Sequence, residues 1–335
     1  MHPYHKEEVP LVSVWMITYN HEKYIRQSLE SVVSQKTNFK FEVIIGEDCS
    51  TDGTCAIVKE FADKYPDIIK PVYQEKNVGA MRNAYEFCYP KLKGKYVACI
   101  EGDDYWTDKN KLQTQVNFLE THPDYSICFH SVYELKNEKT SLLQISPNEQ
   151  TYSIEDLSKE NLINTASVLF RNNPVSKWPD WFMGSYIADY FLHLLNARFG
   201  KIKYLPTPMS VYRIHSAGVY GGKSFKFRAE KLLVLFKDLI KEFSDIEAVN
   251  ENLRYQYAFN AASLAEVSIR EGNRDEYVKY LGSAFSVSEK FLNKWLLDTY
   301  DKNQEVTSSR ALRAGKVLLY PFRKIKGLLT RNFLS

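Results

Sequence analysis

The chemistry of this chain of 335 residues concentrates in the stretch Tyr96 to Trp106, YVACIEGDDYW. The apolar run Val97 to Ile100 leads directly into Glu101, Gly102, Asp103 and Asp104. A short apolar run ending in acids reads as a buried parallel strand with carboxylates at its carboxyl end, the edge where open α/β sheets bind ligands. Three carboxylates within four residues repel one another unless a cation sits between them, and hard divalent ions prefer oxygen ligands. The stretch is therefore a candidate Mg²⁺ or Mn²⁺ site facing an anionic substrate; the competing reading is a solvated acidic turn. Asp48 repeats the pattern at the end of FEVII, Phe41 to Ile45. From there a carboxylate can accept hydrogen bonds from a nucleobase or ribose. Asp52 is read equally well as a turn or cap residue or as a ligand. Asp189 opens an amphipathic helix, IADYFLHLL, where an acid also complements the helix dipole.

These residues need strands and helices in alternation to bring them to one edge. Leu11 to Thr18 reads as a first strand and Glu22 to Gln35 as a helix. Phe41 to Ile45 is a second strand, followed by a helix whose apolar face is Ile57, Val58 and Phe61, with Thr51 or Asp52 at its cap. Ile68 to Tyr73 is a third strand, placed near a sheet edge by Pro71, and a helix carrying Arg82, Asn83 and Tyr85 leads to the acidic strand. This alternation predicts a largely parallel sheet. The loop after the first strand lacks GxGxxG, so a dinucleotide pyrophosphate site of the usual kind is not expected.

Lys111 to Glu120 reads as a helix, Tyr125 to Tyr133 as a strand and Lys136 to Gln150 as a mobile polar loop. His130 within that strand is expected to pack or to face an acceptor. Thr165 to Arg171 and Ile202 to Leu205 read as further strands, and beyond Ser224 the pattern is helical, with a pair over Tyr257 to Arg270 and Asp275 to Phe285. That pair is similar to one tetratricopeptide-like unit, and one unit makes no solenoid.

The blocks VSVWMITYNHEKYIRQSLESVVSQ, EVIIGEDCSTDGT, NVGAMRNAYEFC and KYVACIEGDDYWTDKNKLQTQVNFLE, in this order and spacing, resemble a family 2 glycosyltransferase over roughly the first 130 residues. The resemblance implies the GT-A nucleotide-diphospho-sugar transferase fold, a Rossmann-like mixed sheet flanked by helices, here with a C-terminal helical appendage. It implies an inverting transfer from a nucleoside diphosphate sugar, a UDP-sugar by preference, to a saccharide or lipid-linked saccharide acceptor. In that family Asp48 matches the acid holding the base and Asp103 the metal ligand. Glu101 stands where the first Asp of the usual DxD would be and can still bond a ribose hydroxyl or a metal-bound water. Asp104 is expected to support or cap. Thr18, Asn20, Asp52, Arg82 and Gly102 fall in the matching blocks as donor-binding candidates. Asp189 matches the general base, preceded here by Ala188 rather than a second acid. MSVYRIH, Met209 to His215, resembles the family's YRxH segment, with Gly218, Gly221 and Gly222 in a loop that closes over the diphosphate. Arg213 can neutralise phosphate, and His215 can ligate the metal through a neutral imidazole.

Composition sets the outer limits. The 44% hydrophobic and 25% charged fractions suit an ordinary folded protein. Five cysteines without a CxxC pair argue against a zinc site or disulfide framework. A polar, charged amino terminus and no apolar run of about 18 residues lead to the expectation of a cytoplasmic protein. The segments divide as 1–223 for the transferase domain, 224–305 for the helical region and 306–335 for a basic tail. That tail holds seven bases and no acid; subtracting seven from the net +3 leaves −4 for the rest. Alternating bases and apolar residues around Pro321 suit an anionic membrane surface, which would place the protein peripherally at the inner face, or a contact with its own domain or a partner. Nucleic acid is not expected, since no reader fold accompanies the charge. A nucleotidyltransferase is a rival reading but would show a Gly-rich basic phosphate loop after the first strand, and YNHEKYI is neither. A non-catalytic sugar-binding or scaffold protein is the other, and it would not need Asp103 and Asp189 together.

Overall fold

The computed structural model describes residues 9–173, 175, 177–215, 218 and 223–308, and side chains as far as 298. The basic tail beyond residue 308, and Gly221 and Gly222, lie outside these residues. The first half alternates as the sequence requires: β1 Val12–Thr18, α1 Ile25–Val33, β2 Phe41–Glu47, α2 Thr54–Lys64, β3 Ile69–Tyr73, α3 Ala80–Arg82 and β4 Tyr96–Glu101. A π-helical turn, Asn83–Cys88, continues α3. The second half adds β5 Tyr105–Trp106, α4 Lys111–Thr121, β6 Tyr125–Lys136, β7 Lys139–Leu143, β8 Gln150–Tyr152, α5 Ile154–Leu157, β9 Leu169–Arg171, α6 Asp189–Ala197 and β10 Lys201–Ile214. Four helices follow: α7 Phe225–Glu242, α8 Glu247–Arg270, α9 Arg274–Val287 and α10 Glu289–Ser308.

The strands form one mixed sheet in the order β3-β2-β1-β4-β9-β6-β10-β5, with β7 added to β6 and β8 to β10. β1 to β4 are parallel, and β3 is an edge, as Pro71 requires. The short β9 runs antiparallel between β4 and β6. In register, Thr18 pairs with Glu47 and Ile17 with Glu101, so the carboxyl ends of β1, β2 and β4 share one edge.

Side chains of β1 alternate between the sheet's two faces, as period 2 dictates. Val12, Val14 and Met16 join Ile25, Leu29 and Val58 from α1 and α2 in one apolar layer. Trp15 faces the other way, in a layer that includes Tyr85, Phe182 and Phe191 and runs on through Phe236, Leu253 and Tyr257 of the C-terminal helices. The helical region therefore shares its core with the sheet. Its first pair is α7 and α8, and α8 extends ten residues earlier than the apolar spacing predicts.

Two stretches differ from the sequence reading. Lys136 to Gln150 is not simply a loop: β6 and β7 form a hairpin whose turn residues Asn137 and Glu138 have φ of 49° and 63°. Two successive positive φ values give the turn whose twist matches a hairpin. β7 is exposed along its length, so it carries no buried alternation to reveal it. The second is the strand read as Ile202 to Leu205: β10 runs on through Pro206 and Pro208, and its pairing with β6 shifts between Leu205 and Ser210. That irregularity absorbs two residues that lack an N–H.

Candidate active site

The site lies at the shared edge. Beyond Glu101 the chain turns at Gly102, where a Cβ would stand 2.5 Å from Thr18 Oγ1 and 2.9 Å from His21 Nδ1. Only glycine permits β4 to end this close to the β1 loop. Thr18 Oγ1 lies 3.3 Å from His21 Nδ1, fixing the ring. Asn20, with φ of 55°, accepts from the Thr51 amide at 2.8 Å, and its own amide donates to Ser50 Oγ at 3.0 Å. Asp52 accepts from the amides of Thr54 and Glu22 at 3.0 and 3.1 Å. Asn20 and Asp52 thus lock the loops after β1 and β2 together.

Asp48 follows β2, and its two oxygens accept from the Val78 and Gly79 amides at 2.7 and 2.9 Å. Each oxygen keeps a second lone pair for a ligand. Burial raises its pKa against the lowering effect of these bonds.

Asp103 is the centre of the cluster. It is 6% exposed; His215 Nε2 lies 2.9 Å from its Oδ2 and His21 Nε2 lies 3.7 Å from the same oxygen. Burial acts to raise its pKa, but His215 and His21 together hold it below the usual value. Its other oxygen, Oδ1, is buried without a hydrogen-bond partner. Such an atom is costly to leave unmet and marks a place for a ligand. Among the described residues no group of three His, Cys, Asp or Glu is arranged to hold an ion by itself.

Around Asp103 the other acids are strained by proximity. Glu101 is pushed up to about 8 by burial and by the charges of Asp103 and Asp189. Asp104 is buried and raised well above the usual range by burial, Asp103 and Glu101, and it accepts the Arg213 amide at 2.8 Å. That bond pins β10 to the acidic turn. The Arg213 guanidinium donates to the Asp103 carbonyl and to Gln27 Oε1, between the rings of Tyr24 and Tyr105 at 5.1 and 4.5 Å. It is engaged inside the site's wall in this state. Asp189, at the first turn of α6, has its Oδ1 2.8 Å from the Tyr190 amide. Burial raises its pKa, opposed by that bond and by the nearby Asn161 amide.

The structure therefore brings Thr18, Glu101, Gly102, Asp103, Arg213 and His215 together, with Asp189 close enough to act on Glu101. Asn20, Asp48 and Asp52 order the adjoining loops. Arg82 stands apart, half-exposed and paired with Glu86 at 2.8 Å. Sequence reasoning passed over His21, which sits immediately past the end of β1 beside β4. It also passed over Tyr212, whose hydroxyl is pushed upward by burial and then by Glu101, Asp104, Asp103 and Asp189. Its position next to Arg213 at the strand end was the available signal.

Residues 13–178 match the family model described as "Glycosyl transferase family 2". An uncharacterized protein of Mycobacterium tuberculosis is 36% identical over 211 residues, which cover 62% of this chain and 60% of that protein. The chain thus spans about 60% of the length of the curated relatives that head the comparison. Among solved structures, residues 1–349 of S. aureus TarS in complex with UDP-GlcNAc superpose with a TM-score of 0.52 at 16% identity, covering 83% of this chain and 93% of that one. The mannosyltransferase PcManGT from Pyrobaculum calidifontis, in complex with GDP-Man and Mn²⁺, gives 0.56 at 17% identity, covering 86% and 84%. At such identities the likeness is one of fold, and it agrees with the GT-A arrangement of a mixed sheet flanked by helices. With the family model matched on the blocks that build this edge, residues 13–178 belong to glycosyl transferase family 2.

Proposed function

We propose that this chain transfers a sugar of the hexosyl or N-acetylhexosaminyl type from a nucleoside diphosphate sugar to an acceptor hydroxyl, with inversion. The observation that carries this reading is the convergence of Asp189 with the β4-edge acids: after burial and Asp103, its charge also raises the Glu101 pKa. Asp189 takes the acceptor proton as the acceptor oxygen bonds to the anomeric carbon. The bond from that carbon to the diphosphate oxygen breaks, and its electron pair leaves with the nucleoside diphosphate. In-line attack from the opposite face gives inversion. Burial, by raising the Asp189 pKa, makes it a stronger base than a solvated carboxylate.

Asp103, with its free Oδ1, and His215 fit a divalent cation, and their mixed oxygen and nitrogen donors suit Mn²⁺ better than Mg²⁺. Two protein donors are enough where phosphate oxygens and water complete the shell. The cation would offset charge developing on the leaving diphosphate. Thr18, Asn20, Asp48 and Gly102 line the edge where the nucleoside would rest. Both UDP-linked and GDP-linked donors occur in the structural neighbours, which supports a nucleotide-sugar; we favour UDP. The basic tail supports an acceptor for cell-surface polysaccharide or glycolipid at the inner membrane face. Among the described residues no helix is long and apolar enough to cross a membrane.

Calorimetric titration of UDP, GDP and their sugars, with and without Mn²⁺, tests the reading in wild type, Asp103→Ala and Asp189→Asn. Metal-dependent binding should vanish in Asp103→Ala. It should persist in Asp189→Asn, whose transfer rate should fall by about 10²–10⁴. Wild-type protein that binds no nucleotide under either condition would sink the proposal.

A further inference from the structure

The four C-terminal helices lie beyond residues 13–178, where the family model matches, and none of their residues has a part in the site described above. Yet two side chains of α8 reach the segments that carry Asp189. Leu253 and Tyr257 bury one stripe of α8 in the core shared with the sheet. Asn252 and Gln256 each stand one position earlier, so they share a neighbouring face, and both are half-buried. A polar face of a helix ordinarily meets water. This one meets the end of α5.

α5 is a single turn, too short to be stable alone. Ser153 and Asp156 cap its start from within, as a capping box. The last carbonyls of a helix have no internal partners, and here they are met from outside. Asn252 Nδ2 donates to the Glu155 carbonyl at 3.1 Å and to Ser158 Oγ at 3.0 Å. Gln256 Nε2 donates to the Ser158 carbonyl at 2.9 Å and to the Tyr190 hydroxyl at 3.1 Å. That hydroxyl donates in turn to the Leu157 carbonyl at 2.9 Å. Gln256 thus joins α8, the end of α5 and α6 at one point. Ser158 and Tyr190 are buried, so bulk water does not replace a donor lost there.

Both partners of Gln256 lead to Asp189. Tyr190 follows it in the chain and gives its amide to Asp189 Oδ1. Ser158 precedes by three residues Asn161, whose side-chain amide favours the charged form of Asp189. The two supports of this carboxylate arrive on separate segments, and Gln256 bonds to both.

We propose that Gln256 is a positioning residue for the transfer reaction: from α8 it fixes Tyr190 and the segment leading to Asn161, and through them the direction in which the Asp189 carboxylate faces the acceptor. The helical region is then part of the catalytic unit rather than an appendage to it. This rests on the reading of Asp189 as the base.

Gln256→Met keeps the length of the side chain and removes both donated bonds. Tyr190→Phe breaks the same junction from α6. Tyr257→Phe is the control, since it loses a bond between α8 and α9 alone, from Tyr257 OH to Ser283 Oγ at 2.6 Å. Carboxyl-carbon NMR of isotope-labelled aspartate, with Asp189 assigned by its loss in Asp189→Asn, follows the titration of that group without any substrate. The titratable groups facing it are Glu101 and Cys99 of β4, Tyr85 of the π-helical turn and Tyr212 of β10; all are the same in the proteins compared. Loosening Asn161 removes a bond to the charged form, so the Asp189 midpoint should move to higher pH in Gln256→Met and Tyr190→Phe and stay in Tyr257→Phe. A midpoint unmoved in both variants, or moved equally in the control, would overturn the proposal. Release of UDP from UDP-glucose and UDP-N-acetylglucosamine with Mn²⁺, water serving as acceptor, gives the kinetic arm. There kcat should fall about 10–100-fold in Gln256→Met with the donor KM unchanged, and a rise in KM alone would also overturn it. Asp189→Asn separates the two readings. If it releases UDP as fast as wild type while Gln256→Met moves the Asp189 titration, the coupling from α8 stands and the base reading falls. If it is inactive while Gln256→Met titrates and turns over like wild type, the positioning role alone falls.

Discussion

Lys111 opens α4 with no exposed surface. Its ammonium donates to Gln115 Oε1 at 2.7 Å and lies 4.4 Å from the centre of the Trp106 ring, and neither partner is charged. Burial lowers its pKa from 10.5 to about 7. The unfolded chain therefore holds a proton that the folded chain sheds between pH 7 and 10.5. Over that window this group makes stability rise with pH, and below pH 7 its cost is fully present. The gap is about 3.5 pH units, or about 5 kcal/mol at ~1.4 kcal/mol per unit. Lys111→Met keeps the unbranched shape and removes the charge. It also strands Gln115 Oε1, at a cost of about 1–3 kcal/mol, while Gln115 Nε2 still donates to the Cys128 and Ser167 carbonyls. The variant should be about 2–4 kcal/mol more stable than wild type at pH 7. The advantage should fall by about 3 kcal/mol by pH 9.5. Urea unfolding of both proteins at the two pH values measures this, and cysteine titration cancels in the difference. A methionine variant no more stable at pH 7, or two proteins with parallel pH dependence, would refute the reasoning.

Three further outcomes follow from named contacts. Gly102→Ala places a Cβ 2.5 Å from Thr18 Oγ1; it should lower stability by about 1–3 kcal/mol and weaken nucleotide binding, and an unchanged melting temperature and affinity would contradict the close approach. Asp48→Ala frees the Val78 and Gly79 amides; hydrogen exchange at those two positions should quicken, and unchanged exchange would remove Asp48 as the loop's anchor. His193 is buried with neither ring nitrogen bonded, and burial lowers its pKa from 6.5 to about 3. The unfolded chain then binds the extra proton, so stability falls as pH drops from 6.5 toward 3. His193→Leu should recover about 3 kcal/mol at pH 4.5 relative to its effect at pH 7, read from urea midpoints, and an equal effect at both would refute the assignment.

What could be read from the sequence was whatever neighbours in the chain decide. The run VACIE followed by Gly-Asp-Asp places acids at a buried strand's end without knowledge of any other strand. Alternating strands and helices then make the sheet parallel, so Thr18, Asp48 and Glu101 had to meet at one edge, and they do. Lys111 shows where this fails. It begins a helix whose own pattern gives no sign that this lysine is buried, yet β5, just before α4, places Trp106 over it. β9 is three residues long and inserts antiparallel between strands that come earlier in the chain, which no local pattern encodes. The hairpin strand β7, paired only with β6, is exposed at every residue and so shows no buried alternation.

The same division runs through the active site. Asp103 is legible as an acid from its own strand, but its partners come from residue 21 on one side and residue 215 on the other. What brings residue 215 there is β10, held by β6 along one side, by β5 along the other, and by the Arg213 amide on Asp104. Asp104, read from the sequence as a supporting acid, thus earns its place through a bond spanning more than a hundred residues. Because that bond is made by a backbone amide, side-chain identity at position 213 does not encode it. Local pattern therefore reveals which edge carries the charge, whereas the long-range strand pairing decides which histidine shares it.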